Sequence, residues 1–309
     1  MPPITCPGFK AAGTHAGLKK NHEKDLGLVY SDVPASVAGV FTTNQVKAAP
    51  VQLDLQRVKT GRCRAIVVNS KNANCCTGER GMQDALAMGR AVSTALNIDE
   101  SDVLVASTGV IGSPLPIEKI EAAVPHLVQS LAVDGFMDCA QAMMTTDTVP
   151  KLVHRQGWVD GSPFNVIGLA KGSGMIAPNM ATMLCFACTD IAASPDMLKA
   201  VLLKSVNNSL NRIIIDGDTS TNDTTLILAN GQSGISLDEN NAMASFQQVL
   251  DGVLLSLARE LVRDAEGGTK VVTIAVRGAG APEDARTMAE TIANSPLVKT
   301  AIFGEDANW

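Results

Sequence analysis

Aromatic residues are scarce: one Tyr, two Trp and seven Phe make up 3% of 309 residues. That is too few for a base-stacking platform. Basic residues are outnumbered, 25 Lys and Arg against 31 Asp and Glu for a net charge of −6, and they form no long run, which argues against a nucleic-acid footprint. Histidine is limited to His15, His22, His126 and His154, none of them in HExxH or another close metal-ligand spacing. No GxSxG elbow is present, so a serine hydrolase of the usual strand-turn-helix kind is unsupported. Long apolar runs are missing too. The longest uncharged stretch, Gly172 to Cys188, is broken by Gly174, Pro178 and Asn179 and makes a poor membrane span. Met1 to Asp25 mixes Pro, Gly, His and Lys without the apolar core of a secretory signal.

What is present is a well-cored globular composition, 46% hydrophobic and 18% charged, long enough for one large or two ordinary domains. Seven cysteines, an odd number scattered without a framework in a chain lacking an export signal, read as reduced thiols in the cytoplasm. Cys185-Phe-Ala-Cys188 has CxxC spacing but lies in an apolar, strand-like run, where residues three apart point to opposite faces. With no second CxxC or neighbouring His, it makes no zinc site. Lys171-Gly-Ser-Gly174 lacks the Gly-Lys-Ser/Thr ending of a phosphate loop. Asp216-Gly-Asp218 recurs in calcium loops, but Thr221 and Ile227 stand where such a loop needs Gly and Glu.

Strand-like runs occur at Gly27–Tyr30, Ser36–Thr42, Arg64–Asn69, Val103–Ser107, Phe164–Ala170, Met183–Ile191, Arg212–Asp216, Thr224–Ala229 and Lys270–Val276. Between them, Ser194-Pro195-Asp196 supplies an N-cap, a first-position proline and a first-turn acid for a helix through Leu210. Pro114-Leu-Pro116 opens a second helix, which Pro125 is expected to kink or break. The longest helix runs from about Ala242 to Ala265. Strands and helices alternate irregularly, which predicts a mixed α/β protein without regular βαβ winding.

The most unusual segment, Gly168 to Cys188, is a glycine-rich, proline-containing loop feeding into an apolar strand that opens with Ala181-Thr182. Such an arrangement suits a threonine hydroxyl that attacks the preceding peptide bond. Cleavage would free the threonine's own α-amine, whose ordinary pKa near 8 lets it act as general base without a histidine. An ordinary strand-opening threonine fits the local sequence as well.

The segment KGSGMIAPNMATML resembles the self-cleavage region of the bifunctional glutamate N-acetyltransferases, or ornithine acetyltransferases, of arginine biosynthesis. The likeness extends through GFKAAGTHAGLK (Gly8 to Lys19), NSKNANCCTG (Asn69 to Gly78), STGVIGSPLP (Ser107 to Pro116), TTDTVPK (Thr145 to Lys151), DGDTSTNDT (Asp216 to Thr224) and VRDAEGGTK (Val262 to Lys270), and ends at FGEDANW. These motifs stand in the family's order and cover nearly the whole chain. The resemblance implies a layered αββα-type sandwich of the ornithine acetyltransferase/DmpA-like class. It implies cleavage between Ala181 and Thr182, giving an α chain of residues 1–181 and a β chain of residues 182–309. Thr182 would then carry acetyl from N2-acetylornithine to glutamate by a ping-pong route, with Thr108 and Gly109 as the oxyanion hole. Thr148, Lys171, Thr182 and Glu266 would contact substrate.

On the residues alone, Thr108-Gly109 reads equally as a strand-to-helix turn, and Lys171 as a solvated loop lysine. Glu266 falls near a helix C-terminus, where an anion is disfavoured, so it suits a substrate cation or a neighbouring Arg263 or Lys270. The resemblance implies no metal and no cofactor beyond the acyl donor. It leaves open whether acetyl-CoA also serves, and it carries the precedent of a cytoplasmic α2β2 assembly. Family chains continue past FGEDANW, so this chain is expected to be cut short. A self-cleaving aminopeptidase or amidohydrolase that passes the acyl group to water, and an uncleaved binding protein, are the competing readings.

Overall fold

The computed structural model describes residues 3–176, 183–238 and 242–307. In chain order its strands are β1 (Phe9–Thr14), β2 (Leu26–Phe41), β3 (Arg62–Asn69), β4 (Val103–Ser107), β5 (Lys151–Val159), β6 (Ser162–Lys171), β7 (Leu184–Thr189) and β8 (Thr224–Ala229). The helices are α1 (Ala49–Arg57), α2 (Gly78–Leu96), α3 (Ile117–Gln129), α4 (Phe136–Met143), α5 (Pro195–Asn208), α6 (Ala242–Arg263), α7 (Pro282–Asn294) and α8 (Pro296–Gly304). The strands hydrogen-bond in the order β4-β3-β2-β8-β7-β6-β5, and β1 also pairs with β2.

Strand β2 organises this arrangement. Its first half pairs with β1 and β3, its second half with β8, and the register against β3 shifts between Tyr30 and Ala35. Such an irregularity bends a strand and increases its local twist. Burial then follows the two-residue alternation of β structure. Ile66, Val68, Leu104 and Ala106 share one core with Ile167, Leu169, Leu184, Phe186, Leu226 and Leu228 from the other half of the sheet. The alternate residues Val67, Val103 and Val105 pack with Met88 and Val92 of α2 and Ile120, Val124 and Leu127 of α3. On the far side, Val166, Cys185, Ala187 and Ile227 pack with Leu198, Val201 and Leu202 of α5 and Leu250, Val253 and Leu257 of α6. Three cores between four layers make the expected αββα sandwich.

Helix α5 starts as its sequence predicts, with the Ser194 hydroxyl accepting the Met197 N–H and Pro195 in the first position. Cys185 and Cys188 face different cores, and all seven cysteines are free. Burial pushes the Cys185 thiol up to about 12, so it is inert. Other expectations fail for identifiable reasons. Of the kink or break expected at Pro125, the break does not occur: α3 runs through it, because Pro125 lies on the exposed side, where water can satisfy the carbonyl that loses its helical partner. Arg212–Asp216 is not a strand: after a short 3-10 turn, its Ile215 N–H is taken by the Ile176 carbonyl. Lys270–Val276 joins no sheet and leaves Val271 and Val272 about half exposed. Its apolar alternation has no strand to pair with.

Candidate active site

Ala181 and Thr182 lie outside the described residues, so the site is built from what flanks them. Upstream, the Asp216 carboxylate accepts the N–H groups of Met175 and Ile176. Downstream, the Met183 N–H donates to Asp223 Oδ1 at 2.8 Å, and the Thr224 N–H donates to the Met183 carbonyl at 3.1 Å. The polar segment Asp216 to Thr224 therefore grips the chain on both sides of the expected cut.

Asn222 connects this grip to the far half of the sheet. Its buried amide donates to the Ala73 carbonyl at 2.6 Å and to the Ser107 carbonyl at 2.9 Å. Ser107 ends β4, so the turn carrying Thr108 and Gly109 is tied to the start of β7 by two adjacent residues, Asn222 and Asp223. In that turn the Thr108 N–H is already committed to the Asn69 carbonyl, and the Val110 N–H to the Lys71 carbonyl. The groups left to stabilise an anion are the Thr108 hydroxyl and the Gly109 N–H. Gly109 has a φ of +138°, and an added Cβ would lie 2.1 Å from the Lys71 carbonyl carbon, so no other residue fits without displacing backbone.

The expected substrate contacts converge on a buried charge cluster. Lys171 is not a solvated loop lysine: it ends β6 with 3% exposure. Burial lowers its pKa, opposed by Asp147, whose Oδ2 lies 4.0 Å from the ammonium. Asp147 also accepts the Gly172 N–H at 2.7 Å and the Thr145 N–H at 3.0 Å. The fully buried Lys151 bridges Asp147 at 2.7 Å and Asp264 at 2.6 Å. Asp264 in turn accepts the backbone N–H and the hydroxyl of Thr148. Glu266 lies three residues past the end of α6. Its N–H donates to the Ser173 carbonyl at 2.7 Å, and its carboxylate lies so close to Gly174 that a Cβ there would stand 2.9–3.1 Å from it. Neither Arg263 nor Lys270 pairs with Glu266 among the described residues, and Lys270 pairs with Glu305 at 2.9 Å. Thr148, Lys171 and Glu266 thus border one region, with Thr108 and Gly109 joined to it through Asn222, Asp223 and Met183.

Asp147, Lys151, Asn222, Asp223 and Asp264 are absent from the sequence-predicted set. Their motifs contain them, but a short polar stretch reads as a solvated loop until the fold buries it. No group of three or more metal-ligating side chains occurs among the described residues. No described helix is long and apolar enough to cross a membrane.

The ArgJ family model matches residues 10–309. The arginine biosynthesis bifunctional protein ArgJ of Geobacter sulfurreducens is 50% identical over 304 residues, a span of 98% of this chain and 77% of that protein. A crystal structure of ornithine acetyltransferase from Mycobacterium tuberculosis, complexed with ornithine, is 39% identical with a TM-score of 0.51. The match covers 59% of this chain and 97% of the solved one. At the level of fold alone, the chain is similar to the l-aminopeptidase d-ala-esterase/amidase of Ochrobactrum anthropi, a variant of the Ntn hydrolase fold, with 11% identity, a TM-score of 0.53 and 86% and 89% of the two chains covered.

Proposed function

The chain belongs to the ArgJ family, and from that premise we propose that it is a self-cleaving acetyltransferase that moves acetyl from N2-acetylornithine to glutamate. In the first step the Thr182 hydroxyl attacks the Ala181 carbonyl, the peptide bond breaks to release the threonine α-amine, and water hydrolyses the resulting ester to leave the Ala181 carboxylate and a free Thr182 hydroxyl. That amine then accepts the Thr182 hydroxyl proton as the oxygen attacks the acetyl carbonyl of acetylornithine. The tetrahedral oxyanion meets the Thr108 hydroxyl and the Gly109 N–H, fixed donors of the kind whose loss costs roughly 10²–10³ in rate. Collapse gives acetyl-Thr182, and ornithine leaves carrying the proton. Glutamate attacks through its amine, and a second such intermediate returns the free threonine. Acetyl-CoA is proposed as an alternative donor in the first half-reaction.

The observation that carries this reading is the link from Met183 through Asp223 and Asn222 to Ser107. It ties the covalent neighbour of Thr182 to the turn that carries the Thr108 hydroxyl and the Gly109 N–H, donors that suit an oxyanion. The 97% coverage of the solved ornithine acetyltransferase chain by only 59% of this one supports a mature α chain close in length to residues 1–181. The proposed β chain would stay bound, because β7 and β8 lie between β6 and β2 in one hydrogen-bonded sheet. Two copies of each chain form the proposed assembly, an α2β2 enzyme of the cytoplasm.

The test is an acetylornithine assay with and without glutamate. The reading predicts glutamate-dependent formation of N-acetylglutamate and ornithine, abolished in Thr182→Ala. Release of acetate at the same rate with or without glutamate would instead make the protein an amidohydrolase.

A further inference from the structure

The buried cluster behind Thr148 fixes more than the position of that side chain. Lys151 has no exposed surface and three donors, and the structure gives each an acceptor: Asp147 at 2.7 Å, Asp264 at 2.6 Å and the Val149 carbonyl at 3.4 Å. It has nothing left to offer a substrate. What it does is bring Asp264 to Thr148 as an ionised carboxylate. Burial alone would raise the Asp264 pKa, but the hydrogen bonds from Lys151 and Thr148 outweigh it and hold the carboxyl below its ordinary range. An ionised carboxylate only accepts hydrogen bonds, so the Thr148 hydroxyl must spend its one proton on Asp264 Oδ1. Thr148 itself is exposed. Its oxygen therefore meets the site as lone pairs.

Resting on the reading of Thr148 and Lys171 as substrate contacts, we propose that Lys151 and Asp264 are positioning residues that lock the Thr148 hydroxyl as a hydrogen-bond acceptor, so that the site recognises a carboxylate at Lys171 and an N–H at Thr148. An N-acylated α-amino acid carries both groups on one carbon, and so does the free α-amino acid that accepts the acyl group. The polarity excludes the isosteric α-acyloxy acid, whose ester oxygen would face the lone pairs of Thr148. It disfavours N-alkylated substrates for want of the proton. Lys151 serves both ends of this recognition, because the Asp147 it holds is also the carboxylate beside Lys171.

The experiment compares KM and kcat for N2-acetylornithine and its N-methyl analogue in the wild-type protein, Thr148→Val, Thr148→Ser, Asp264→Asn and Lys151→Met. Wild type should favour the N–H substrate about tenfold in KM, the size expected for one hydrogen bond. Thr148→Val and Lys151→Met should lose that preference through a higher KM for acetylornithine, with kcat changed less than threefold. Thr148→Ser, which keeps the hydroxyl, should restore it. Asp264→Asn can donate as well as accept, so it should also weaken the preference, and it stands in if Lys151→Met does not fold. A preference that survives in Thr148→Val or in the folded cluster variants would overturn the inference while leaving acetyl transfer standing. A wild-type protein that transfers no acetyl would overturn both.

Discussion

Two buried aspartates stand at the same end of the sheet and are treated in opposite ways. Around Asp147 the fold gathers Lys151, the Lys171 ammonium and two backbone N–H groups. Burial pushes this carboxyl up, but Lys171 and Lys151 outweigh it and keep it below the ordinary carboxylate range. Around Asp223 the fold supplies the Met183 N–H to Oδ1 and, among the described residues, no hydrogen bond to Oδ2. There burial prevails over that N–H, the Ser220 hydroxyl and the more distant Lys171, and the carboxyl is pushed well up. The contrast separates two tasks. A compensated carboxylate holds two buried cations in place, whereas an under-compensated carboxyl beside the expected scissile segment favours its neutral form and grips the Met183 peptide.

The largest effect that tests this difference should come from Asp147→Asn. The change leaves Lys151 and Lys171 buried without their shared counter-charge, and breaking a buried pair in this way costs about 3–5 kcal/mol. Denaturant unfolding at neutral pH would show it. Asp223→Asn should behave differently, matching or exceeding wild-type stability there, since the amide replaces a group already held away from its charged form.

A smaller effect, opposite in sign for the two residues, appears on titration. The stabilisation from Asp147, whose folded pKa is depressed, is present above the unfolded value of about 3.9 and is lost as pH falls through the folded one. For Asp223, whose folded pKa is raised, the fold binds its proton more tightly, so stability is lost as pH rises from about 3.9 through the folded value. The gap between wild type and Asp147→Asn should therefore shrink on acidification below about pH 4. Any advantage of Asp223→Asn over wild type should grow from that pH upward. Parallel pH slopes for the two variants would remove the distinction.

Much of the fold was legible in the sequence because apolar alternation reports burial directly. The run containing β7 and the Ser194-Pro195 cap of α5 are examples, and so is the separation of Cys185 from Cys188 onto two faces. Strand β5, KLVHRQGWV, went unread because it mixes charged and apolar residues as an edge strand does. Lys270–Val276 was over-read for the converse reason, since alternation alone supplies no pairing partner. At the site, the unusual Gly168 to Cys188 segment drew attention to Thr182 without structure, and motif resemblance added Thr108, Gly109, Thr148, Lys171 and Glu266. The burial of Lys171 and the supporting set of Asp147, Lys151, Asn222, Asp223 and Asp264 stayed hidden. Polar residues signal burial only through contacts between distant segments, such as Asn222 with Ser107 or Lys151 with Asp264.

All of this turns on the peptide bond before Thr182, and intact-mass analysis of the purified protein under denaturing conditions addresses it most directly. Self-cleavage predicts two polypeptides, residues 1–181 and a second beginning at Thr182, that co-elute under native conditions, with a single full-length species in Thr182→Ala. One uncleaved mass for the unmodified sequence, or fragments that begin at another residue, would contradict it.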